Sequence, residues 1–169
     1  HYENMSLSLA ESLGNGGSGW IHEMAFGNGG TSVDPTGIIT YLTPNSTGTN
    51  ASLYNQTFKK VVDDRSVSNT DPVRNKIETR HVSGTNYTDV LVTCLLDYGE
   101  PAGQDDFDTA TDQNSLYVFD DIVLKAYAAD GNGRLLTHVV FHPVQKSLNR
   151  LIQIDYTVRV QSLTGFNEE

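Results

Sequence analysis

The chain has little of what would narrow its chemistry quickly. Among 169 residues there is one cysteine, Cys94. A lone thiol has no partner within the chain, so an intrachain disulfide framework is excluded, and with it the class of small disulfide-stapled secreted scaffolds. Basic residues are scarce: 11 Lys and Arg stand against 21 Asp and Glu, a formal net charge of -10. Such a surface repels phosphate backbones, and no basic cluster reverses that locally, which argues against nucleic acid as a partner. No apolar run comes near the ~18–20 residues of a membrane-crossing helix. The N-terminus lacks the basic-then-apolar order of a signal peptide, so no membrane partner is expected. A chain of this length buries roughly 70% of its unfolded surface, so its core calls for neither metal nor cofactor.

What the sequence does have is turn chemistry and alternation. Glycine is frequent at 15 residues and charged residues make up only 19%, a mixture that suits a turn-rich, all-β chain. The clearest stretch is 117–162, which holds three apolar, β-branched runs in succession. Asp130-Gly131-Asn132-Gly133 separates the first two, and a Pro-containing polar loop around Pro143 separates the last two. Asp-Gly and Asn-Gly between alternating runs are strong hairpin signals, because tight hairpin turns need φ > 0 at their centre. In 151–161, Ile152, Ile154, Tyr156, Val158 and Val160 fall on one face, and Gln153, Asp155, Thr157, Arg159 and Gln161 on the other. That pattern predicts a strand half buried on one side. The whole stretch reads as a three-stranded antiparallel meander on which the upstream chain packs.

Upstream, 5–13 is the single helical candidate, with Met5, Leu9 and Leu13 at i, i+4, i+8 and Gly14 as its stop, though Leu7 and Leu9 also alternate as in a strand. Residues 20–26 read as a strand with Trp20, His22, Met24 and Phe26 on one face. Gly27, Gly29 and Gly30 then serve a turn. They lack the G-x-x-x-x-G-K-[ST] order and the strand-glycine-helix setting of a phosphate loop. Further strands are predicted at 37–42, within 53–62, at 76–82 and at 88–96, with an exposed loop at 63–72. Eight or so short strands and one short helix indicate an all-β fold, mainly an antiparallel β-sandwich, in one domain over 1–169 with a long acidic loop at 99–115.

Candidate chemistry is thin. Asp105, Asp106, Asp108 and Asp112 place several carboxylates in one loop, which calcium favours, but the EF-hand order and its closing Glu are missing. His138 and His142 lie four apart on a strand, about 13 Å, too far for one zinc. Cys94 sits within an apolar strand and reads as a small hydrophobe. Asp120 and Asp121 are adjacent, so on an extended chain they point to opposite faces, poor geometry for paired-carboxylate catalysis. No nucleophile and base can be paired, and no enzyme is expected. Trp20, Tyr41, Tyr54 and Phe107 are the interface candidates, since ring faces suit both sugars and subunit contacts.

Two blocks carry a resemblance. Residues 20–30 (WIHEMAFGNGG) are followed by Asp34-Pro35-Thr36, Leu53-Tyr54-Asn55 and Lys60-Val61-Val62. Further on come Phe119-Asp120-Asp121-Ile122-Val123-Leu124, then Asp130-Gly131-Asn132-Gly133, then His142-Pro143-Val144-Gln145-Lys146. In this order they resemble the N-terminal, virion-attaching domain of phage tail-collar fibre proteins, over about two thirds of the chain. Val123 stands where that family tends to have Gly, residues 99–115 have no counterpart, and no fibre shaft follows Glu169. The resemblance implies a non-enzymatic adaptor of a tailed-phage virion (tail, baseplate, collar or capsid surface), assembled in the host cytoplasm. It implies a homo-oligomer that meets other virion proteins through the loops at 14–19, 27–35, 44–52 and 99–115. It transfers no catalytic residues. A carbohydrate- or calcium-dependent surface-binding module is the alternative, with carbohydrate as its partner class.

Overall fold

The structure, a computed structural model of the chain, describes residues 1–46, 48, 51–104 and 117–163. A helix α1 (Tyr2–Leu13) precedes nine strands: β1 (Ile21–Gly27), β2 (Thr31–Val33), β3 (Ile39–Tyr41), β4 (Gln56–Val61), β5 (Lys76–His81), β6 (Tyr87–Leu96), β7 (Val118–Ala126), β8 (Leu135–Gln145) and β9 (Ile152–Gln161). They form a four-stranded sheet in the order β4-β1-β7-β8, a three-stranded sheet β5-β6-β9 and a small β2-β3 hairpin, every pairing antiparallel. Met24 and Phe26 of β1, Phe119, Ile122 and Leu124 of β7 and Leu136 of β8 share one buried cluster with Val92, Cys94 and Leu96 of β6. The apolar face of β9 (Ile152, Ile154, Tyr156, Val158) packs on it. Two sheets closing over one apolar layer make the fold an all-β, mainly antiparallel sandwich.

The alternation in β9 places its residues as expected, but the strand does not complete a meander. β7 and β8 form the hairpin, whereas β9 crosses to the other sheet and pairs with β6 over ten consecutive residues, from Tyr87↔Gln161 to Leu96↔Ile152. The reason lies in β8. Phe119 pairs with Val144 and Asp121 with Val140, so β8 carries extra residues around Pro143. Pro143 therefore sits inside a strand at a bulge, not in a loop between strands. A proline has no N–H to offer and a bulge breaks the ladder, so β8 presents a poor template for a long regular partner. The β7–β8 turn itself is as predicted: Gly131 has φ +80, and a Cβ on Gly133 would lie 1.7 Å from the Ala126 carbonyl oxygen.

The helix starts earlier than its apolar pattern suggested and docks by different residues. Its buried positions are Asn4 and Ser8, one residue ahead of the Met5–Leu9–Leu13 line, and Leu13 is 87% exposed. Asn4 Nδ2 donates to the Leu135 carbonyl at 2.9 Å, so a buried hydrogen bond to β8 sets the helix's rotation. Met5 alone of the apolar line packs on the core. Thr31–Val33, whose sequence carries no strand signal, pairs with the predicted strand around Ile39.

Candidate functional site

The two ends of β1 are built differently, and the glycine runs are central to both. At its start, the turn after α1 ends in Gly19, with φ +102. A Cβ there would lie 2.5 Å from the Ser8 carbonyl oxygen, so only glycine lets the chain pass this close to the helix. The turn is pinned from Glu11, which accepts from Ser18 Oγ and pairs with Arg134 at 2.6 Å. That bridge holds the Glu11 carboxyl below its ordinary range. Tyr127 N–H donates to the Trp20 carbonyl at 2.7 Å, and the two rings stack with centroids 4.7 Å apart and planes 6° from parallel. Trp20 Nε1 donates to Asp63 at 3.1 Å, and the His22 ring meets Tyr127 edge-on at 5.1 Å.

These side chains form one wall of a cleft of about 670 Å³ between the sheets. Met5, Leu9, Ile77, Val90, Val158 and Val160 contribute the aliphatic lining, and Asp63, Asp64 and Arg65 stand at the polar part of the margin. Among the described residues two buried polar atoms at this end have no hydrogen-bond partner, Ser8 Oγ and His22 Nδ1. Asp63 Oδ2 lies 3.6 Å from the latter, beyond hydrogen-bond distance. The Asp63 carboxylate is already engaged by Trp20 and by the Arg65 N–H at 3.0 Å. In volume and lining the cleft matches the usual small-molecule pocket: mostly apolar walls with a few convergent polar groups.

At the other end of β1, the loop from Gly27 to Thr31 wraps a carboxylate. The N–H groups of Gly29, Gly30 and Thr31 and the Thr31 hydroxyl all donate to Asp120, at 2.8–3.2 Å. Successive amides turned inward form an anion-binding concavity. Here the chain's own side chain fills it, which accounts for the glycines without any phosphate. Asp121 does not point to the opposite side, as a plain extended strand would require. Its Oδ1 would lie 2.8 Å from a Cβ on Gly27, while Asp120 Oδ1 would lie 3.1 Å from one on Gly30. The bulge opposite, in β8, reshapes the strand pair at this point. Asp121 Oδ2 accepts from His138 Nε2 at 2.9 Å, and His138 Nδ1 accepts from the Asn45 N–H at 2.8 Å, which fixes the imidazole proton on Nε2. Burial, with Asp120 alongside, pushes the Asp121 carboxyl above its ordinary value despite the opposing hydrogen bond from His138. Cys94, deep in the core, is likewise pushed up to about 12 by burial and is no nucleophile.

Of the interface candidates, Trp20 stands in the cleft wall and is 41% exposed. Tyr54 packs on the His138 ring and donates its hydroxyl to the Thr43 carbonyl, so part of it is structural. Tyr41 is exposed, its hydroxyl 3.4 Å from His142 Nδ1. Phe107 and the calcium candidates Asp105, Asp106, Asp108 and Asp112 lie outside the described residues. The sequence pattern does not mark Tyr127 and Asp63, which contact Trp20, or Ser8, which lines the same cleft, as members of one site. They come from three separate segments, and only the four-residue step from Asn4 to Ser8 marked a second helical face.

A further feature is the edge of the smaller sheet. β9 pairs with β6 on one side, and among the described residues no strand pairs with its other side. Its ladder runs through ten residues without a register shift. Arg159 forms a bidentate pair with Asp89, at 2.8 and 3.1 Å, and lies 3.9 Å above the Tyr87 ring. Set against models of known protein families, curated proteins and solved structures, the chain matches none of them.

Proposed function

We propose that this chain is a non-enzymatic structural or adaptor protein of a tailed-phage virion, acting in the tail, baseplate, collar or capsid surface through assembly with itself and with other virion proteins. The observation that carries the assembly part is the outer edge of β9, with which no strand among the described residues pairs. Natural sheets blunt exposed edges with prolines, bulges, short strands or covering elements. β8 has a bulge, a proline and α1 beside it. β9 is long and regular, and among the described residues it has none of these.

The strand is also self-complementary. If two copies meet antiparallel about Thr157, each residue stands opposite one of its own face. Asp155 then faces the partner's Arg159, and Tyr156 faces the partner's Val158. Such an isologous contact makes one continuous six-stranded sheet and closes as a two-fold dimer. The virion setting rests on the resemblance of residues 20–62 and 119–146 to tail-collar attachment domains.

Sedimentation velocity over a concentration series tests the reading, together with binding to purified tails and capsids. Asp155→Lys sets like charges across the two-fold without touching the Arg159–Asp89 pair. It is expected to weaken self-association about ten-fold or more at low salt. A protein that stays monomeric at all attainable concentrations and binds no virion component overturns the proposal.

A further inference from the structure

We propose that the cleft between α1 and the two sheets is a binding site for a small neutral amphipath: a flexible aliphatic chain ending in a hydroxyl. The walls are largely aliphatic (Met5, Leu9, Ile77, Val90, Val158), which suits an aliphatic chain, and Met5 and Leu9 on α1 can change rotamer to follow it. The apolar lining is open to water, as Leu9 and Val160 at about two-fifths exposure show.

Ser8 argues that this opening receives a ligand and is more than a packing defect. Ser8 is 2% exposed and lines the cleft, and among the described residues its buried hydroxyl has no hydrogen-bond partner. A buried hydroxyl left unpaired destabilises the fold, and a ligand that supplies the missing bond removes that cost. His22 Nδ1 is a second unpaired atom on the same wall.

The charge at the margin selects the head group. Asp63 and Asp64 against Arg65 leave the margin net negative, in a chain of net charge -10. A carboxylate or phosphate head would bring further negative charge next to Asp63. A hydroxyl both donates and accepts, so it can serve Ser8 or the His22–Asp63 pair without ionising.

The test uses the chain's own reporter. Its single tryptophan, Trp20, stands in the cleft wall, so intrinsic fluorescence reads occupancy directly. Titration of the full chain with 1-decanol should give a saturable, one-to-one emission change, and decanoate should bind at least ten-fold more weakly. Ser8→Ala should lower decanol affinity about ten-fold without lowering the thermal midpoint. Val90→Phe, which fills the cleft, should abolish the response, with circular dichroism confirming that the variant is folded. No saturable change with decanol up to its solubility overturns the site. Equal or tighter binding of decanoate overturns the head-group assignment, and unchanged binding to Ser8→Ala overturns the role of Ser8. If Trp20 emission follows protein concentration in step with self-association, a second copy covers the cleft and the ligand proposal fails. Decanol binding that is independent of oligomeric state separates this site from the assembly proposal.

Discussion

The two ends of β1 use similar parts to opposite ends. Both have a glycine run, a conformationally demanding turn and a carboxylate that gathers neighbouring donors. At the Gly27–Thr31 end the loop closes on Asp120, and four hydrogen bonds lock β1, β2 and β7 together. At the Gly19 end the loop passes close to α1, and the Asp63 carboxylate accepts from Trp20 and from its own loop beside His22. One end is a filled anion nest and the other an open apolar cleft. The difference teaches that glycine runs in this chain specify close backbone approach, and that what then occupies the space depends on residues far away in sequence.

The comparison can be broken most sharply at Asp120. Asp120→Ala leaves three inward-facing amides without their acceptor, two of them only partly shielded from water, and is expected to cost about 3–5 kcal/mol. In a chain of this size that lowers the thermal midpoint by roughly 10 °C or more, read by calorimetry. Trp20 emission should stay unchanged, since the other end is untouched. The hairpin turn comes next. Gly133→Ala puts a Cβ 1.7 Å from a carbonyl oxygen, so backbone must move, at about 2–3 kcal/mol. Gly131→Ala, at φ +80 but in open space, should cost only about 1 kcal/mol. Urea midpoints of the two variants decide whether close approach or backbone conformation matters more there.

A smaller effect separates the two buried carboxylates. Asp121 keeps its proton to higher pH in the folded chain than in the unfolded one, because burial disfavours its charge. Its contribution is therefore fully present below the unfolded value of about 3.9 and is lost as pH rises through the folded value. Asp121→Asn still accepts from His138 and has no charge to bury. Its stability relative to wild type is expected to rise with pH, as urea midpoints from pH 4 to 8 would show. A gap that shrinks as pH rises would contradict the assignment.

The smallest expected effect is at the open end. Without ligand, Ser8→Ala removes an unpaired buried hydroxyl and should leave stability unchanged or raise it by about 0.5–1 kcal/mol. Asn4→Ala, one turn earlier, loses the bond to Leu135 and should cost about 1–2 kcal/mol. Thermal midpoints of the pair show whether the helix is held at Asn4 while Ser8 is left free.

Much of the architecture was legible because it depends on local order. The strict alternation of β9 marked its buried face, and Asp130-Gly131-Asn132-Gly133 marked the β7–β8 turn. The apolar run around Cys94 marked a strand covered on both sides at its far end. The cleft was barely legible: Trp20 stood out as an aromatic, but Tyr127, Asp63 and Ser8 reach it from separate segments. The pairing of Asp120 with the glycine loop was hidden for a related reason. Extended-chain geometry sends adjacent side chains to opposite faces, and the register shift between Phe119 and Asp121, opposite Pro143, departs from that geometry.

By itself, then, the sequence determined the fold class, the sites of most strands and turns, and that Cys94 has no intrachain disulfide partner. These follow from side-chain period, backbone preference and the count of one thiol. Only the tertiary structure decided that β9 leaves β8 for β6, that the glycine nest is filled from within, and that two polar atoms end up buried beside an apolar opening without partners among the described residues. Each of those outcomes turns on which distant segments compete for the same edge or the same space, and that competition is settled by packing and hydrogen-bond satisfaction, which a local pattern does not encode.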